Sequence, residues 1–474
     1  MSVGQINVTE TLRKVDDLLR KDRTISPSAR AMFELLVTII QLLVAKLGLN
    51  SSNSSIPPSQ EPQRQRGAKS KSEGRRRKPG GQKGHPGTTL EPVGNPDQIE
   101  NIAVDRRTIP PGHYRNVGYA ARQVIDIVIS RYVIEYRAEI LEDAHGHQFV
   151  AQFPAGVTRP VQYGQGVKVQ AVYISQQQLI PYDRIRDYFW DQCGIPISAG
   201  SIFRFNQEAD VLLEPFESFL VGKLVLQLLL HADETGIHIN KTLYWLHCLC
   251  NEKWTLFFPH AKRGGDAIKA MGVLERFHGR LGHDHWKTYF QFDCIHFLCN
   301  AHHLRELERA WIQDGQRWAL KMQFLLLEIH DATSKAAGCL DEATAKRFRS
   351  RYRNILTRGD RECPSAASGN ATAKRAAQSK SRNLLDRLRE FETETLRFMT
   401  DPLVPFTNNQ CENDLRMTKV QQKISGCFRS FEGAQIFCRV RSYLSTCRKH
   451  DIQPTEALQA LFEGRLSDII ARLE

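Results

Sequence analysis

Leu229-Leu230-His231-Ala232-Asp233-Glu234-Thr235 is the stretch that decides the fold of this 474-residue chain. It closes a nearly continuous apolar run from Leu224 to Ala232, the pattern of a central strand buried on both faces. Downstream, Gly236–Asn240, Thr242–Cys250 and Trp254–Phe258 follow as a strand meander. Ala267–Phe277 then reads as a helix, Gly279–His283 as a short strand and Ile295–Cys299 as another, with a helix from Asn300.

Three antiparallel strands followed by helix, strand, helix and strand is the order of a ribonuclease-H-like domain. The expected fold class is therefore α/β, a ribonuclease-H-like catalytic core with a helical insertion. In such a sheet the first and fourth strands are neighbours, which brings Asp233 beside Asp284 of Leu281-Gly282-His283-Asp284. Glu412, in the basic helix of Asn408-Asn409-Gln410-Cys411-Glu412, can join them from later in the chain. A lone Asp after an apolar run is commonly a turn residue, so the argument rests on the three settings together. Three carboxylates are hard oxygen ligands suited to Mg²⁺, with Mn²⁺ as substitute. Two such cations about 4 Å apart serve in-line phosphodiester displacement. Glu234 ranks second to Asp233, because strand alternation points it to the other face.

The charge balance agrees with a polyanionic partner. Lys and Arg exceed Asp and Glu by 13, from 65 and 52, and a basic surface favours nucleic acid over other partners. Eleven scattered Cys fit free thiols in a reducing compartment better than a disulfide framework. No signal peptide is legible, and the longest apolar stretch, Leu35–Leu47, is too short and too interrupted for a membrane span. A cytoplasmic, nucleoid-associated protein is expected.

Eight segments are expected from the patterning. Residues 1–48 form an N-terminal helical segment, with Met32, Leu35, Leu36, Ile39, Leu43 and Leu47 as its apolar stripe. Residues 49–95 are a flexible basic linker. Its Arg75, Arg76, Arg77, Lys78 and Lys83 suit DNA phosphates, the alternative being a solvated linker. Residues 96–160 read as a small β-rich module built on Gln123–Ile129 and Tyr132–Tyr136. Residues 161–222 are helical; Tyr182–Phe189, the Gly194 break and a Ser198-capped helix resemble a helix-turn-helix, with Ser201 and Arg204 towards DNA. The core begins at 223–299 and is interrupted by a helical insertion over 300–404, with a mobile loop at Gly359–Ser381. The catalytic helix occupies 405–432, and 433–474 is a C-terminal helical region. Thr407, Asn408 or Asn409 supplies the cap of the catalytic helix. Arg416, Lys419 and Lys423 follow Glu412 at offsets of 4, 7 and 11, one helical face that can guide a DNA backbone. Cys294 with Cys299-Asn300-Ala301-His302-His303 is weak evidence for zinc without a second ligand pair. Cys299 is expected in the core, His302 or His303 near the site, and no zinc is expected.

The chain resembles the transposases of bacterial insertion sequences of the insertion-sequence-66 family. The residues that carry the resemblance run nearly end to end. They are Leu49–Ser55 with Pro57-Pro58-Ser59, Gly80-Gly81-Gln82-Lys83-Gly84-His85-Pro86-Gly87, His231–Thr235, Cys299-Asn300-Ala301-His302, and Asn408–Glu412 with Leu415-Arg416. The resemblance implies a DDE transposase acting on the terminal inverted repeats of its own element, with Asp233, Asp284 and Glu412 at the triad positions. It also implies a homo-oligomer in a synaptic complex with double-stranded DNA, and accessory proteins of the same element as possible partners. Three departures stand out. Asn116–Tyr119 and Asp143–His147 lack the family's zinc-binding cysteines, His285-Trp286 replaces Gly-Tyr after the second Asp, and Asn413 replaces Arg after Glu412. Two other classes compete with this reading: a DNA-binding protein with a decayed catalytic domain, and a metal nuclease such as a resolvase or ribonuclease H.

Overall fold

The computed structural model describes residues 92–364 and 378–474, with Leu90 and scattered positions among the first forty. The basic arm carrying Arg75, Arg76, Arg77, Lys78 and Lys83 lies outside the described residues, as does most of the N-terminal helical segment.

The sheet consists of β1 (Leu229–Ile239), β2 (Thr242–Cys250), β3 (Thr255–His260), β4 (Arg280–His283) and β5 (Ile295–Leu298). Its order is β3-β2-β1-β4-β5, so the first and fourth strands are neighbours as expected. β1 to β3 are antiparallel, whereas β4 and β5 run parallel to β1. The right-hand half is short because β4 pairs with β1 only over Leu229–His231. Gly282 in β4 is required by packing: a Cβ there would meet the Phe297 ring at 2.2 Å.

Helices complete the mixed α/β fold. α1 (Gln165–Val172), α2 (Tyr182–Cys193), α3 (Ala199–Leu212) and α4 (Glu214–Val225) precede the sheet. α5 (Gly265–Ala270) links β3 to β4. α6 (Asn300–Ile312), α7 (Arg317–Lys335), α8 (Glu342–Glu362), α9 (Lys380–Glu390) and α10 (Glu392–Leu396) pack around Trp318 and Tyr352. α11 (Asn409–Ser425), α12 (Phe431–Lys449), α13 (Pro454–Phe462) and α14 (Leu466–Leu473) close the chain. The pre-sheet helices and the C-terminal helices share one apolar core through Phe216, Leu220, Tyr443 and Leu458. α12 also shields the sheet edge. Its Ser442 and Thr446, one turn apart, accept from the backbone amides of Phe257 and Thr255 in β3 at 2.8 and 3.2 Å. An edge strand whose amides are engaged this way is closed to pairing with another chain.

Four expectations are corrected. The apolar run from Leu224 is split, because α4 reaches Val225 and β1 starts at Leu229. The separate strand expected at Gly236–Asn240 is the continuation of β1, so Asp233 lies within a strand rather than at its end. Residues 96–160 hold one small hairpin, Ile140–Glu142 with Gln148–Val150, while Gln123–Ile129 and Tyr132–Tyr136 form no strand. Alternating β-prone residues make a strand only with a partner strand to take their backbone bonds; here Val124 and Tyr132 are 92% and 86% exposed. Finally, Gly359 is buried inside α8 rather than starting a loop.

Candidate functional site

Asp233 leaves the middle of β1 at the point where parallel pairing with β4 has ended. Asp284 follows directly after β4, and its Oδ1 accepts from the Trp286 amide at 2.8 Å, which fixes the turn. Glu412 lies in the first turn of α11. Both Asp284 and Glu412 act electrostatically on Asp233. Burial foremost, then the neighbouring carboxylates Glu234, Asp284 and Glu412, push the Asp233 carboxyl up to about 8 against a lowering bond from the Glu234 amide. Acids from three distant segments thus act on one another electrostatically around Asp233.

Glu412 is flanked by α6. Its Oε1 lies 3.7 Å from His302 Nδ1 and 3.5 Å from Arg305 Nη2. Cys299 is in the core at 1% exposure, as expected. His302 stands at the site, whereas His303 turns inward to His285, with 2.6 Å between the two Nε2 atoms. Burial holds His285 down at about 3, so that pair is neutral at ordinary pH.

Glu234 has a different environment from Asp233. Its Oε1 accepts from Arg263 Nε at 2.8 Å and its Oε2 from the Tyr289 hydroxyl at 2.6 Å. Arg263 is in turn held between Trp245 and Trp286, 5.0 and 4.6 Å from the ring centroids. A carboxylate with both oxygens engaged is a poor competitor for an incoming cation. The adjacent acids in sequence thus have separate surroundings. Nothing in the local sequence around Glu234 signals Arg263, Tyr289 or the two Trp residues, because they come from three other segments, Trp286 and Tyr289 sharing one.

α11 is clamped against β1 at both ends. At its start, Asn408 is the N-cap residue but its side chain makes no capping bond. Instead its Oδ1 lies 2.7 Å from His231 Nδ1, and its Nδ2 donates to the Ala232 carbonyl at 2.8 Å. The amide of Asn408 donates to Cys299 Sγ at 3.1 Å. The expected capping role of Asn408 is therefore replaced by a tie to the strand. Past the other end, Phe428 exchanges backbone bonds with His238 and Asn240 at 2.9 and 3.1 Å.

The remaining candidates are scattered. Arg416, Lys419 and Lys423 are exposed along α11, and Lys419 Nζ also reaches the Gly236 carbonyl at 3.3 Å. Gly194 ends α2 in the left-handed region at φ 61°, and Ser198 Oγ caps α3 by accepting from the Ser201 amide at 3.0 Å. Ser201 is thus part of the cap, while Arg204 is exposed one turn on.

A family model described as the transposase IS66 family matches residues 160–436, more than half of the chain and inclusive of Asp233, Asp284 and Glu412. A family of unknown function (DUF6444) matches residues 5–91. No curated protein matches the chain.

Proposed function

Because the chain belongs to the transposase IS66 family, we propose that it cuts and joins DNA at the ends of an insertion sequence through Asp233, Asp284 and Glu412. The observation that carries this reading is the electrostatic coupling of the three acids: burial foremost, then Glu234, Asp284 and Glu412, raises the Asp233 carboxyl to about 8. A buried carboxyl with further acids in electrostatic reach fits a hard divalent cation, whose charge would offset the burial of the carboxylate. Asp233, Asp284 and Glu412 would hold Mg²⁺, or Mn²⁺ in its place. The cations supply Lewis-acid activation of the attacking oxygen and stabilisation of the leaving one. The strand order and the first-to-fourth strand pairing support a ribonuclease-H-like core.

The protein's own groups supply placement. Arg416, Lys419 and Lys423 run along the helix that carries Glu412, so a phosphate backbone lying on them is led to the carboxylates. Arg204 and the N-terminal basic arm, with Arg75, Arg76, Arg77, Lys78 and Lys83, add phosphate contacts, and Ser201 sits beside Arg204. Two element ends must be joined, so the acting species is a homo-oligomer on DNA, with accessory proteins of the element as further partners. Among the described residues no helix is long and apolar enough to cross a membrane.

The test is divalent-dependent cleavage of DNA bearing the element's ends, comparing wild type with Asp233→Ala, Asp284→Ala and Glu412→Ala. Loss of cleavage in all three with DNA binding retained is the expected result. Cleavage by a folded triad variant would refute the site. Binding without cleavage by the wild-type chain would favour a decayed, DNA-binding transposase.

A further inference from the structure

Beneath the acidic site lies a second cluster that the reaction does not use. Cys248 and Cys250 alternate on β2 and so share one face. Cys411, the residue before Glu412, comes down on that face from α11. The three Sγ atoms lie within 4.8 Å of one another. Their residues are at most 1% exposed. In register, Cys250 is opposite His231 and Cys248 is opposite Asp233. His231 Nδ1 is occupied by Asn408.

We propose that Cys248, Cys250 and Cys411 form a structural site for a thiophilic divalent cation of the zinc class. This set is distinct from the Cys299–His303 stretch, for which zinc was not expected. A tetrahedral site with metal–sulfur bonds of about 2.3 Å keeps its sulfurs roughly 3.8 Å apart, so closing the cluster takes side-chain shifts of under about 1 Å. Binding forms three metal–sulfur bonds and releases the thiol protons to solvent. Lys449, within electrostatic reach of Cys250, offsets part of the thiolate charge; its Nζ is fixed by Asp414 Oδ2 and Thr255 Oγ1, each at 2.6 Å. Soft sulfur ligands select against Mg²⁺, which keeps this site separate from the carboxylates above it. Because the cluster is enclosed, the cation enters as the chain folds. Its consequence is mechanical: one ion would tie the helix bearing Glu412 to the strand paired with Asp233.

The experiment uses the full chain, produced in zinc-supplemented medium and, separately, refolded with Co²⁺. Metal content by mass spectrometry and the thiolate-to-Co²⁺ charge-transfer band are the readouts, and neither depends on DNA cleavage. The expected result is stoichiometric metal and a three-thiolate band that falls at least about tenfold in affinity in Cys411→Ala and Cys250→Ala. Cys299→Ala, which alters the other Cys-containing group beside Glu412, keeps the band. Circular dichroism verifies that each variant folds, and Cys248→Ser provides a second, more conservative variant. A folded wild-type protein with all three thiols reduced but no charge-transfer band overturns the proposal. So does a band that survives Cys411→Ala and disappears in Cys299→Ala. The first of these would make the cluster three thiols packed as small apolar side chains.

Discussion

Replacing Asn408 by Ala removes the side chain that joins the helix of Glu412 to the strand of Asp233. The site is 1% exposed, so water does not readily replace the amide. Two buried groups lose their partner, the Ala232 carbonyl and His231 Nδ1. Leaving a buried polar group unsatisfied costs about 1–3 kcal/mol, so the expected loss for the two is roughly 2–6 kcal/mol. The carbonyl loss is severe because β4 pairs with β1 only as far as His231, and Ala232 has no β4 residue opposite it. Urea denaturation of wild type and Asn408→Ala measures the loss. A double-mutant cycle with His231→Phe isolates the share carried by the His contact, expected to be about 1 kcal/mol or more. Glu412 lies one helical turn further on, so displacement of the helix start is also expected to slow cleavage at saturating DNA by at least about tenfold. A stability loss below about 1 kcal/mol, with no coupling to His231, would refute this account of how the helix is held.

Other outcomes follow from the same geometry. The folded-state value of Asp233, about 8, lies above its ordinary 3.8. The stability this group contributes is fully present below about pH 4 and is lost as pH rises through about 8. Without divalent cation the melting temperature should therefore fall between pH 6 and 9, Mg²⁺ should restore more at pH 9 than at pH 6, and Asp233→Asn should flatten both responses in scanning fluorimetry. Arg263→Ala strands the Glu234 carboxylate, whose side chain is 2% exposed. A loss of about 2 kcal/mol in denaturation is expected, the partial exposure of the Arg lowering the usual cost of breaking a buried pair. Glu234→Gln should stay close to wild type in cleavage, since Gln still accepts from Arg263; abolished cleavage there would make Glu234 a ligand after all. Changing Arg416, Lys419 and Lys423 together to Gln should make the slope of log affinity against log salt shallower by up to about 2.7, with no loss of fold. An unchanged slope in a binding titration would remove that helix face from the DNA path.

The candidate site was legible because its signals are local. The apolar run into Asp233, the short strand into Asp284 and the polar start of the Glu412 helix are each patterns within about a dozen residues. The Ser198 cap and the Gly194 break were legible for the same reason, since capping and left-handed turns depend on neighbouring residues. Failures came where a local pattern needed a distant partner. Asp233-Glu234-Thr235-Gly236 reads as a strand end, yet β1 continues to Ile239 because β2 pairs with it over nine residues and Arg263 with Tyr289 neutralises the buried Glu234. The alternation at Gln123–Ile129 predicted a strand, but nothing pairs with it among the described residues. Asn408 reads as a cap, and its side chain is drawn off by His231 and Ala232.

Legible in the residues alone were the mixed α/β class, the pairing of the first and fourth strands, three candidate acids, the basic balance and the family. Hydrophobic periodicity and motif spacing are properties of contiguous residues and survive without knowledge of the fold. The packing of the segments settled the rest: Glu234 is engaged by Arg263 and Tyr289, Asp233 feels the charges of Asp284 and Glu412, Asn408 clamps rather than caps, and Cys248, Cys250 and Cys411 meet. The physical reason is shared by all of these. Burial and pairing depend on which segments pack against each other, and Cys411 is separated from Cys250 by the whole helical insertion.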